Sequence, residues 1–193
     1  MQDGHNRRAQ RARGINGPVT VTIAGVICAG FLMAQSEPKT APKAPPQAPA
    51  PAANLNQLMR ALFFPNSNVV FFPQRYDPAT VKPATEPSGS TDPLTGVFGG
   101  WGAVENAALT LADSADLLMT PGRKCSNGKD VPIANADWAQ MVQGLRDASM
   151  FSYRAALTKD MDKMLQASEV LAASCASCHN KYRPGNAANR CRQ

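Results

Sequence analysis

Histidine is nearly absent from this chain: of 193 residues only His5 and His179 are histidine. Strand patterning is absent as well, because no segment of the folded part alternates apolar and polar residues at period 2, which turns the fold expectation away from sheets. Aromatic residues make up only 6 % of the chain, and no dense basic patch is interleaved with them, so nucleic-acid binding has no surface to work from. No nucleophile is paired with a base, and an enzymatic activity of its own is not expected. The uncharged apolar run Val19 to Ala34 is 16 residues long, short for a comfortable membrane span.

What is present begins with that run. Arg7, Arg8, Arg11 and Arg13 precede it against the single acid Asp3, so residues 1–34 carry half of the formal charge of +6. A basic stretch followed by an apolar one reads as an export signal, either cleaved or retained as a signal anchor. Ala34 precedes Gln35 as a small residue, but Leu32 fits a cleavage site poorly. Residues 35–53 are rich in Ala, Pro, Lys and Gln, with Pro38, Pro42, Pro45, Pro46, Pro49 and Pro51. This composition gives either a polyproline-like tether or a disordered mature N-terminus.

The folded part is expected over 54–193. Asn54 is placed to cap a helix with Leu55, Leu58, Met59 and Leu62 on one face. Pro65 ends or kinks that helix, and the apolar stretch that follows is either its continuation or a buried extended segment. A connection punctuated by Pro73, Pro78, Pro83, Pro87 and Pro93 comes next. Trp101, Val104, Ala108, Leu111, Ala115 and Leu118 form the stripe of a second helix. A turn-rich segment with Pro121-Gly122 and Asn127-Gly128 leads to a third, capped by Asn135 or Asp137, with its stripe on Trp138, Met141, Leu145, Ala148, Ser152 and Ala155. Asp160 caps a fourth, whose stripe runs through Met161, Met164 or Leu165, Ser168, Leu171, Cys175, Cys178 and Tyr182. Four amphipathic helices without strands predict an all-α fold, an antiparallel four-helix bundle.

The chemistry lies at the end of the fourth helix, in Cys175-Ala176-Ser177-Cys178-His179. C-x-x-C-H is the attachment signal of c-type haem. One thiol adds to each of two vinyl groups, and the histidine ligates the iron. On a helix, the spacings i, i+3 and i, i+4 bring all three residues to one flat ring. Cys-x-x-Cys also occurs in zinc sites and thiol redox pairs; Cys125 and Cys191 are the residues that would complete a zinc site. A thioredoxin-like pair would open a helix within a strand and helix alternation, not close one.

In an up-down-up-down arrangement the end of the fourth helix shares one end of the bundle with Met59, Met119 and Met141. His5 lies in the export segment, so His179 is the folded part's only histidine and bis-histidine ligation within the chain is excluded. Met161 and Met164 are roughly 22 to 27 Å from His179 along the helix axis. Met59, on the apolar face of the first helix, is the preferred sixth ligand; the competing readings are a core-filling methionine, another methionine, or no ligand. Arg60 and Arg183 are candidates to pair with haem propionates, or are solvated surface charges. Cys125 and Cys191 fall at the same end, as a disulfide in an oxidising compartment or as separate thiols.

The C-x-x-C-H motif closing the last helix, followed by Asn180-Lys181-Tyr182-Arg183, resembles the class II c-type cytochromes: cytochrome c′ and its methionine-ligated low-spin relatives. The similarity covers about residues 54–184. In such proteins the sixth-position residue comes from early in the first helix, where Leu58-Met59-Arg60 stands here, and a basic residue follows the motif, as Arg183 does. The resemblance implies one covalent haem c, a periplasmic location and frequent dimers.

The expected function is a periplasmic one-electron carrier, soluble or tethered to the inner membrane, with His/Met iron and redox proteins as donor and acceptor. A high-spin, gas-binding protein like cytochrome c′ is the alternative, and a structural zinc or thiol module is a third reading.

Overall fold

A computed structural model describes residues 49–90, 92, 95–183, 185 and 191. All described residues belong to one compact unit, Pro46–Gln193. The expected export signal, and the part of the expected linker before Pro49, lie outside the described residues.

The described residues are helical, as the periodicity predicts: α1 (Leu55–Leu58), a π-helical turn (Met59–Phe63), α2 (Phe64–Phe71), α3 (Gly100–Ser114), α4 (Ala136–Thr158) and α5 (Met161–Tyr182). Among the described residues the only extended pairing is one bridge, Lys124 with Asp130. No helix among them is long and apolar enough to cross a membrane.

Asn54 caps α1 through a reciprocal box: its side chain accepts from the Gln57 N–H, and the Gln57 side chain accepts from the Asn54 N–H, each at 2.9 Å. This satisfies backbone donors that a helix start leaves open. Pro65 does not end the helix. It sits in the first turn of α2, where a missing N–H is tolerated, and the turn before it is widened, with the Phe64 N–H reaching back to the Met59 carbonyl. That i to i−5 bond is the register slip that makes a π turn. The apolar stretch after Pro65 is therefore helix, running to Phe71.

The proline-rich connection is not patternless. It contains three short 3₁₀ turns, Phe72–Gln74, Pro78–Thr80 and Pro87–Gly89, and Pro78 is buried. Gly100 starts α3 against it, its N–H bonded to the Val81 carbonyl at 3.0 Å. A side chain at 100 would run into the Pro78 backbone.

The core is built from the predicted stripes. Val104, Ala108, Leu111, Ala115, Leu118 and Trp138 are buried, as are Ser168 and Leu171. Small residues on α3 and α4, such as Ala107, Ala108, Ser149 and Ala156, let α3 pack on α4, which packs in turn on α5; α2 lies on α3 and also touches α5. Buried serines keep their hydroxyls satisfied within this packing. Ser152 donates to Ala148 at 3.0 Å, and Ser168 donates to the Val70 carbonyl at 3.1 Å, which ties α5 to α2. Asn135 takes the N-cap position of α4 without a side-chain cap bond, leaving Asp137 inside the first turn. Asp160 caps α5, accepting from the N–H groups of Asp162 and Lys163. The turns between α3 and α4 use glycine where the backbone is left-handed, Gly122 at φ 76° and Gly128 at φ 83°.

Candidate functional site

One cavity of about 370 Å³ is lined by Met59, Arg60, Cys175, Cys178, His179 and Arg183. It lies at the end of the fold where α1 begins and α5 ends. The i, i+3 and i, i+4 spacing on α5 sets the two thiols and the imidazole on one face, as the motif requires. Across from them stand residues of α1 and the π turn, with Met59 half-buried and Phe63 buried. Leu118 and Trp138 add further apolar surface, and Met141, Val142 and Leu145 come from α4. Met119, the third methionine expected at this end, packs against the core but does not line the cavity.

Cys175 and Cys178 are free thiols, half-buried. Burial raises the pKa of both; for Cys178 the nearby Cys175 and Asp137 add to burial and push it up to about 11. The sulfurs therefore stand protonated at neutral pH. Burial lowers the pKa of His179, and the positive charge of Arg183 lowers it further. Its ring is neutral at neutral pH, the form that offers a nitrogen lone pair to a metal. Arg60 and Arg183 are exposed, and among the described residues no carboxylate lines the cavity.

Cys125 and Cys191 are bonded to each other, S–S 2.04 Å, at a sequence separation of 66. Both are buried, and Cys191 lines the cavity. Joined in this way, they are not available beside Cys175 and Cys178 as zinc ligands. Among the described residues no group of three or more His, Cys, Asp or Glu side chains is gathered to hold a metal ion.

Sequence reasoning missed how the end of α5 is fastened. The Tyr182 hydroxyl donates to the Asp137 carboxylate, 2.9 Å to each oxygen, and Lys181 Nζ forms an ion pair with the same group at 2.5 Å. The Tyr182 ring meets Trp138 edge-on, centroids 4.8 Å apart. Trp138 in turn donates its Nε1–H to the Leu118 carbonyl at 3.2 Å. The only advance signal was weak, an acid in the first turn of one helix and a Lys-Tyr pair in the last turn of the next.

A second, more open groove of about 430 Å³ runs between α4 and α5, lined among others by Asp137, Gly144, Phe151 and Val170. The chain matches no protein-family model, no curated protein and no solved structure.

Proposed function

We propose that this protein is an exported one-electron carrier, an antiparallel four-helix bundle in which Cys175, Cys178, His179 and Met59 would hold one haem c. The observation that carries the reading is the convergence of Cys175, Cys178, His179 and Met59 on one largely apolar cavity. The donor set fits the group. Two protonated thiols on one helix face would suit attachment of a group bearing two vinyl substituents, each S–H adding across one double bond with no outside oxidant or reductant. A neutral imidazole and a thioether from opposite walls are the ligands of low-spin, high-potential haem iron.

When bound, the group supplies a metal centre that changes oxidation state by one electron. The chain's own residues then have separable tasks. His179 presents a lone pair because burial and Arg183 disfavour its protonation. Met59, on the opposite wall of the cavity, would supply a thioether ligand and hinder the binding of small ligands. Apolar walls from Phe63, Leu118, Val142 and Leu145 exclude water. Arg60 and Arg183, exposed where they line the cavity, would pair with the carboxylates of the bound group. The disulfide keeps Cys191 in the cavity wall and removes two thiols from competition with Cys175 and Cys178.

Residues 1–34 deliver the chain to the periplasm, as a cleaved signal or as an anchor that leaves residues 35–53 as a tether to the inner membrane. Donor and acceptor are redox proteins, and the resemblance to class II cytochromes favours a dimer.

The deciding experiment is expression with export and haem-attachment machinery. Haem peroxidase stain that stays with the polypeptide on a denaturing gel, together with a low-spin ferrous spectrum indifferent to carbon monoxide, is the expected result. Absence of gel-stable haem overturns the proposal. A high-spin ferrous spectrum that shifts with carbon monoxide and is unchanged in Met59→Ala replaces it with the gas-binding reading.

A further inference from the structure

The turn that carries Cys178 and His179 is the last of α5, and helix ends fray unless something holds them. Here it is held from outside the cavity. Asp137, in the first turn of α4, receives the Tyr182 hydroxyl on both carboxylate oxygens at 2.9 Å and the Lys181 ammonium at 2.5 Å. The Asn135 amide is 3.4 Å from the same hydroxyl. Tyr182 is 4 % exposed, packs edge-on against Trp138, and lines the cavity with it. Its carbonyl accepts the Cys191 N–H at 2.6 Å. Asp137 does not line the cavity and lies instead in the groove between α4 and α5.

We infer that Asp137 is the positioning residue of the haem-ligating turn: by holding Lys181 and Tyr182 together it fixes the pose in which Cys178 and His179 face the cavity. This deepens the haem reading and rests on it. The two residues it grips stand two and three positions after His179, so one carboxylate controls the rotation of the whole last turn about the α5 axis. An ionised carboxylate suits the task because it accepts from a hydroxyl and a cation at once. The Lys181 and Tyr182 bonds hold its pKa below the usual carboxylate range.

Two measurements on the full chain test this. In the haem-free protein, hydrogen exchange of the amides from Cys175 to Tyr182 is expected to quicken about tenfold or more in Asp137→Ala, the consequence of losing a charge-assisted bond. It should quicken less in Asp137→Asn, whose amide oxygen still accepts the Tyr182 hydroxyl but carries no charge for Lys181. In the haem-loaded protein, the ferric electron paramagnetic resonance spectrum is expected to show one species in wild type and in Asp137→Asn, and more than one in Asp137→Ala. Met164→Ala, at the far end of the same helix and fully buried, loosens the fold without touching the clamp and should leave a single species.

An Asp137→Ala protein with wild-type exchange and one ferric species overturns the inference, as does a Met164→Ala protein that reproduces the mixture. A wild type that retains no haem overturns the haem reading and this inference with it, whereas a haem-loaded wild type matched by Asp137→Ala overturns the inference alone.

Discussion

Met59 occupies the first position of a π turn, half-buried and on the cavity wall opposite the motif. If the proposed function holds, removing its thioether would leave covalent attachment at Cys175 and Cys178 in place, so Met59→Ala should keep gel-stable haem while its ferrous spectrum becomes high-spin and responsive to carbon monoxide. The same substitution at Met141, which also lines the cavity but from α4, should leave the spectrum low-spin. Of the residues in question, the thiols and His179 were legible because a short motif names them and because histidine is so scarce. Met59 was legible as the preferred methionine of three at one end, because it lies on the apolar face of the first helix. Phe63, Leu118 and Asp137 carried no such signal: an apolar or acidic residue looks the same in sequence whether it faces a cavity, a clamp or the ordinary core.

At the scale of the helices, α5 offers two contrasting positions one residue apart. Leu171 is fully buried and Val170 is 42 % exposed. Leu171→Ala should cost about 2–5 kcal/mol of unfolding free energy, read from urea denaturation, and Val170→Ala less than about 0.5 kcal/mol. The start of α5 is also sensitive to pH. Bonds to the N–H of Lys163, its side chain and the N–H of Asp162 hold the Asp160 carboxyl below its ordinary value. A carboxyl whose folded pKa is depressed contributes stability that is present above its unfolded pKa, near 3.9, and is lost as pH falls through the folded value. Asp160→Asn should therefore narrow the fall in urea midpoint as pH drops below the ordinary carboxylate range, near 3.9. The stripes of α3, α4 and α5 were readable from spacing. The π turn was not, since Pro65 announces a missing N–H but not whether the chain breaks, kinks or slips register to accommodate it.

The disulfide acts on the whole molecule. It joins the turn between α3 and α4 to the segment beyond α5, at a sequence separation of 66, and closing a loop of that length stabilises by about 4 kcal/mol in the chain-entropy account. Cys125→Ser with Cys191→Ser should lower the urea midpoint by a corresponding amount, and addition of a reductant should bring the wild type down to the double variant. Sequence by itself determined what depends on local spacing and composition: the helices, their apolar faces and the C-x-x-C-H motif. Only the tertiary structure decided what depends on residues far apart in the chain. It paired Cys125 with Cys191, ran the first helix through Pro65, fastened Tyr182 to Asp137, and brought Met59 and Arg60 to the cavity of Cys175, Cys178 and His179. Periodicity fixes which face of a helix is apolar, but which neighbour that face meets, and where the packing leaves a hollow, is set by the shapes of side chains on every helix at once.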